Sequence, residues 1–145
     1  NNIGIGIKEC RLPTEAEWEY ACRAGTSGAF ADNNIDLLAW YDDNSGQRTC
    51  EVRTKEPNAW GIYDMHGNVY EWCYDCYRSY SDKTLTNPAP ENSVNRTLEG
   101  SGNNRVTRGG CWRRSAAFCR SACRYSRQPD ARINYLGFRP ILAIR

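Results

Sequence analysis

A chain of 145 residues, 40% hydrophobic and 12% aromatic, is long enough for one core and is expected to form a single domain over 1–145. No apolar run approaches the roughly 20 residues of a membrane-spanning helix, so no stretch is assigned to that class. The formal net charge of +2 hides an asymmetry: residues 1–104 carry sixteen acids against nine bases, whereas 105–145 carry ten arginines, no lysine and one acid, Asp130.

The start at NNIGIGIKEC has the look of a processed or trimmed product without a signal peptide. The first clear element is RLPTEAEWEYACRAG, Arg11 to Gly25. Thr14 and Glu17 have the spacing of a capping box, in which two orphan amides at a helix start are satisfied reciprocally. Trp18, Ala21, Cys22 and Gly25 fall at i, i+3, i+4 and i+7, so one apolar face packs on a sheet and Gly25 is expected to end the helix in a left-handed turn. Glu15 and Glu19 are expected on a solvated outer face, near the positive helix N-terminus.

From Thr26 to Asn58 the chain is rich in Gly, Asn and Asp, which predicts loops with short strands around the apolar piece Ile35 to Trp40. The segment GIYDMHGNVYEWCYDCY contains a turn at His66-Gly67-Asn68. Beyond it Val69, Glu71 and Cys73 alternate with Tyr70, Trp72 and Tyr74, the period of a strand. Residues 79–104 hold Pro88 and Pro90 and read as a long polar excursion; the glycosylation sequon at Asn95-Arg96-Thr97 within it is too common a pattern to carry weight. A final strand is predicted from Phe138 to Ile144. Helix, short strands and long loops together make an α+β domain.

Eight cysteines (10, 22, 50, 73, 76, 111, 119, 123) are many for a cytosolic protein and suit a secreted framework, which leaves the compartment open, cell surface and secretion included. Cys73-x-x-Cys76 and Cys119-x-x-x-Cys123 invite a zinc site. The pairs lie far apart, however, and His66 is the one histidine, so buried or disulfide-bonded thiols are expected instead. As the sole imidazole, set in a Gly-Asn turn, His66 is given a structural role.

The stretch 105–139, RVTRGGCWRRSAAFCRSACRYSRQPDARINYLGFR, opens on the Gly109-Gly110 turn and closes on Leu136-Gly137-Phe138-Arg139, with no helical or strand periodicity between. Such a segment is a loop set, where binding residues concentrate. Its arginines either pair internally with the acidic half of the chain or form a basic face for an anionic ligand.

The motifs RLPTEAEWEYACRAG, AWYDDNSG, PNAWGIYDMHGNVYEWC, RVTRGGCW and LGFR, in that order, resemble the formylglycine-generating-enzyme and sulfatase-modifying-factor domain family. The resemblance implies an α+β, C-type lectin-like fold with short helices packed on short antiparallel strands and long loops. Family members usually carry a helix-containing segment ahead of the first motif, so a compact form or a fragment is implied. Active members oxidise a substrate cysteine with copper held by two thiolates separated by four intervening residues, soft ligands that suit Cu(I). Here Cys111, Cys119 and Cys123 are spaced by seven and three residues, and that pair is missing. Iron-dependent relatives need several histidines, which His66 alone does not supply.

The C-terminal stretch is more similar to the variable region of a target protein of a diversity-generating retroelement, in which reverse transcription mutates template adenines. Laid on that pattern, Arg113, Arg114, Ser115, Phe118, Cys123, Tyr125, Ser126, Arg127, Ala131, Ile133, Asn134 and Tyr135 become the diversified, ligand-binding positions. Randomising the two adenines of an AAC codon never gives Lys, Glu, Gln, Met or Trp, and all twelve obey that restriction. Arg and aromatic side chains supply anchors, and Ser and Asn adaptable contacts. Trp112 and Phe138 are assigned to the core beneath.

The resemblance thus implies a non-enzymatic binding protein with no required cofactor, acting on a protein or cell-surface ligand as a monomer. A formylglycine-generating enzyme is the alternative, and a nucleic-acid module a third, weakened by the absence of lysine from the segment. A structural calcium site near Gly67, Val69 and Glu71 is also implied, hard oxygen donors suiting that ion. The competing role for Glu71 is to satisfy buried amides.

Overall fold

The computed structural model describes residues 7–80 and 104–144. The excursion expected over 79–104, with its sequon, lies almost wholly outside them.

Strand β1 (Ile7–Arg11) leads into helix α1 (Glu15–Arg23). The capping box forms as expected: the Glu17 amide donates to Thr14 Oγ1 at 3.2 Å, and the Thr14 amide donates to the Glu17 carboxylate at 2.8 Å. Trp18 and Cys22 are buried, so the apolar face is the one the spacing predicts. The helix ends one residue earlier than expected. Ala24 takes the left-handed conformation at φ 45°, and Gly25 follows at φ 93°. The Ala24 amide still reaches the Tyr20 carbonyl at 3.1 Å, and that bond holds a non-glycine residue in the turn.

Ile35 to Trp40 is a four-residue helix, α2 (Ile35–Leu38), running into the two-residue strand β2 (Ala39–Trp40), where short strands alone are expected. Asn34 caps α2 by accepting the Asp36 amide at 3.1 Å, which tips this apolar run into a helical turn. β2 pairs in parallel with β3 (His66–Gly67). The predicted turn there is thus also a bridge, and Gly67 at φ 76° is obligatory, since a Cβ would lie 2.3 Å from the Trp40 carbonyl oxygen.

The central sheet has the order β6-β5-β4-β7. It is built from β4 (Tyr70–Cys76), β5 (Arg105–Arg108), β6 (Arg124–Arg127) and β7 (Leu136–Phe138). β4–β5 and β5–β6 are antiparallel and β4–β7 is parallel. The stretch 105–139 is therefore less irregular than its sequence suggests. It contributes three strands and a 3-10 helix, Ala116–Cys119.

The strand predicted from Phe138 to Ile144 is two strands in two sheets: β7 belongs to the central sheet, and β8 (Ile141–Ile144) pairs with β1. Pro140 separates them and has no N–H to continue a ladder. Phe138 is not core; at 70% exposure on the edge strand β7 it faces outward, whereas Trp112, at 8%, is buried as expected. Trp18, Cys22, Met65, Cys73 and Val106 form the main core between α1 and the sheet, and Ala39, Tyr41 and Cys119 form a second cluster.

Candidate functional site

The site is assembled by fixing the main chain of 105–139 through contacts that do not use the side chains of the twelve candidate positions. The Trp112 amide donates to the Asn68 carbonyl at 2.8 Å, and Ser45 Oγ donates to the Trp112 carbonyl at 2.8 Å. The Asp42 amide donates to the Arg114 carbonyl at 3.1 Å, the Tyr70 amide to the Tyr135 carbonyl at 2.9 Å, and Trp112 Nε1 to the Asn134 carbonyl at 3.5 Å. At the turn that starts the face, Gly110 has φ 76°, and a Cβ there would meet Cys119 Sγ at 2.6 Å.

His66 belongs to this frame. Its Nδ1 lies 2.7 Å from the Cys119 carbonyl oxygen, and Nε2 lies 3.2 Å from the Ala31 amide. The first contact needs a donor and the second an acceptor, so the ring is the neutral Nδ1–H tautomer. Burial pushes its pKa below the ordinary value, consistent with that state and with the structural role expected of it.

Arg108, in β5, does the same work from the other side. Fully buried, it donates to the Ser121 carbonyl at 2.8 Å and the Ala122 carbonyl at 3.3 Å. It also pairs with Glu15 at 3.2 Å and with Glu19. Arg124 forms a bidentate pair with Glu15 at 2.6 and 2.7 Å. Glu15 and Glu19 are therefore not a solvated face. They are the counter-charges of the β5–β6 arginines, as the internal-pairing reading of the charge asymmetry expects, and sequence spacing alone had no means to locate partners so distant.

The twelve candidate positions lie on top of this frame. None is buried, although Arg114, Cys123, Tyr125, Ser126, Arg127, Ala131, Ile133 and Tyr135 are half-covered by one another and by the sheet. Every buried residue of 105–139, Val106 to Trp112 with Cys119 and Ser121, falls outside the set.

Eight of the twelve occupy the turn and 3-10 region and edge strand β6; the rest, Ala131, Ile133, Asn134 and Tyr135, lie on the loop into β7. The structure brings one group together. The Arg113 guanidinium lies 5.0 Å from the Tyr135 ring, and that of Arg127 lies 4.3 Å from Tyr125 and 5.8 Å from Tyr135. Arg114 pairs separately with Phe118 at 5.3 Å. Arg127 holds the Tyr125 phenol below its ordinary pKa. Tyr70, which the spacing marks only as a strand residue, packs under Tyr125 at 5.6 Å; its buried hydroxyl has no partner among the described residues, and desolvation raises its pKa.

The cysteines of the segment are free thiols. Burial pushes Cys119 up to about 12 and raises Cys111 and Cys123 as well. Reactive thiols have the opposite shift.

Of the residues expected to hold calcium, Glu71 is already engaged. The Glu71 carboxylate accepts the Trp18 indole N–H at 2.8 Å and a bidentate pair from Arg139 at 2.7 and 3.0 Å. Its charge is already balanced by a guanidinium that a divalent ion would have to displace. Among the described residues, no helix is long and apolar enough to cross a membrane.

A model of the sulfatase-modifying factor enzyme 1-like domain matches residues 3–144. The solved structure of Treponema denticola variable protein 1 superposes with a TM-score of 0.78 at 40% identity, over 90% of this chain and 46% of that one. The formylglycine-generating enzyme of Streptomyces coelicolor is 34% identical over 89% of this chain and 45% of its own length. The serine/threonine-protein kinase pkn1 of Chlamydia pneumoniae is 36% identical over 89% of this chain. The chain spans 20% of that kinase and less than half of the other two.

Proposed function

The chain belongs to the sulfatase-modifying factor enzyme 1-like domain family, with its α+β, C-type lectin-like fold, and on that premise we propose that it is a non-enzymatic ligand-binding protein, the variable target protein of a diversity-generating retroelement. The recognition surface is the set of twelve positions from Arg113 to Tyr135, and its target is a protein or cell-surface ligand bound by a monomer.

One observation carries this reading. The frame grips main-chain atoms of the segment, including the carbonyls of Arg114, Asn134 and Tyr135, and leaves the twelve side chains outside the core. A bond to a carbonyl survives a change of side chain, and a partly exposed side chain changes without opening a cavity. Exchange of residues there alters what is bound and not how the chain folds. The likeness to a variable protein of Treponema denticola supports the same reading.

The test is nucleotide sequencing of the DNA that encodes and flanks 105–139. A nearby near-copy, differing mainly where the copy has adenine and accompanied by a reverse-transcriptase gene, is the expected result. Its absence refutes diversification.

The second reading, a copper-dependent formylglycine-generating enzyme, is favoured by the likeness to the Streptomyces coelicolor enzyme. It predicts an aldehyde on a cysteine-containing sulfatase peptide when copper is supplied. The upward shifts of Cys111, Cys119 and Cys123 speak for packing thiols, and no aldehyde is expected.

A further inference from the structure

The arginines of 105–139 divide by what they touch. Arg108, Arg124 and Arg139 each meet a carboxylate, on Glu15, Glu19 or Glu71. Among the described residues Arg113, Arg114 and Arg127 meet none; like Arg108 and Arg124 they lie against aromatic rings, but without a carboxylate on their donors. A stacked guanidinium keeps its in-plane N–H donors available and loses less freedom when they close on an oxyanion. Arg127 uses donors on the Ser126 carbonyl at 3.2 Å and the Tyr135 hydroxyl at 3.4 Å and also meets the Tyr125 hydroxyl, which still leaves part of its five-donor fork for a ligand. Arg113 and Arg127 share the Tyr135 ring, so their guanidinium carbons are no further apart than the sum of their two distances to its centre.

Resting on the binding-face reading above, we propose that in this chain the face docks an acidic polypeptide, whose Asp and Glu carboxylates close on Arg113, Arg114 and Arg127 while Phe118, Tyr125 and Tyr135 take its apolar side chains. Charge complementarity is the first reason. Residues 105–145 carry ten arginines against one acid, and the acids that neutralise three of these arginines all lie on the frame.

The composition of the face is the second. Arg, Tyr and Phe without Lys is the pattern enriched at the centre of protein–protein interfaces. Nucleic-acid surfaces are more uniformly basic and polar, and follow a phosphate backbone with a continuous stripe. Here rings interrupt the charges, and a half-buried Ile133 adds apolar area.

The test is fluorescence anisotropy on the whole 145-residue chain, with four labelled probes at about 50 and 300 mM salt, on either side of the physiological range. The probes are a glutamate–tyrosine random copolymer, a lysine–tyrosine copolymer, a single-stranded oligonucleotide and heparin. Saturable binding of the glutamate–tyrosine copolymer, tighter than that of the other three, is expected. The double variant R113Q/R127Q weakens it about tenfold, on the order of 0.7 kcal/mol for each guanidinium removed. R53Q, at an exposed arginine outside 105–139, leaves it within about twofold, since surface changes away from the binding face are near neutral. Should the double variant fail to fold, R113Q and R127Q singly carry the same test, each weakening binding about threefold.

Failure of the acidic copolymer to bind, oligonucleotide or heparin binding as tightly, or an equal weakening in R53Q each overturns the proposal. The sequence repeat in the gene separates this claim from the one it rests on. With the repeat present and no copolymer binding, the ligand class alone falls. With the repeat absent and copolymer binding weakened about tenfold in R113Q/R127Q, diversification falls and the acidic-polypeptide site stands.

Discussion

Replacing Arg108 with methionine tests whether the buried guanidinium is what ties the candidate face to helix α1. The change removes two donors from the carbonyls of Ser121 and Ala122 and the cation shared by Glu15 and Glu19. Taking one partner from a buried ion pair costs about 3–5 kcal/mol. Glu15 keeps Arg124 and Glu19 keeps Arg23 at 2.8 Å, which reduces that figure, while each carbonyl left without a donor adds roughly 1–3 kcal/mol. Together these give a loss of at least about 3–4 kcal/mol, or about 10 °C or more in Tm for a domain of this size. Thermal melts followed by circular dichroism, with urea denaturation for the free energy, measure it. Adding Glu19→Gln to Arg108→Met removes one carboxylate that has lost its buried partner and keeps only Arg23, and is expected to recover part of the loss. A variant that melts within about 2 °C of the parent refutes the reasoning, because surface-like tolerance is incompatible with a buried ionic tie.

Three more outcomes follow from the geometry. Gly110→Ala places a Cβ against Cys119 Sγ at a positive φ, and is expected to cost roughly 1–3 kcal/mol or more by urea denaturation. Trp112→Ala is expected to cost about 3–5 kcal/mol, and Phe138→Ala under about 0.5 kcal/mol, a contrast that checks their opposite burial. The hydrogen bond from Arg11, aided by the Thr14 amide, holds Glu17 down to about 2 from an ordinary 4.5. Its contribution is therefore complete above about pH 4.5 and is lost as pH falls through about 2. Glu17→Gln should flatten that part of the acid limb in a series of melts, modestly, because the carboxylate is largely exposed.

What was legible in the sequence was local. The Thr14–Glu17 box and the Trp18–Cys22 face of α1 depend on neighbours three and four residues apart, and both formed as expected. The ion pairs did not show. The Glu15–Arg124 contact spans 109 positions and the Glu19–Arg108 contact 89, so the charge asymmetry revealed that pairing was available and not which groups meet. The two-residue β2–β3 bridge is too short for any periodicity, and the split of the last strand was signalled only by Pro140. Hydrophobicity alone places Phe138 in the core, but β7 lies at the sheet edge and turns that ring outward. The twelve candidate residues were named from the motif alone, whereas the stacking of Arg113 and Arg127 around Tyr135 depends on how the loop folds back.

The central claim, that the frame fixes the backbone while the face is exchangeable, is tested most directly by a saturation scan of 105–139 selected for resistance to protease. The expected result is that the twelve positions accept most residue types, adenine-derived or not, while Arg108, Gly110, Trp112, Cys119 and Ser121 reject nearly all. Equal intolerance at the twelve and at those five buried positions would contradict it.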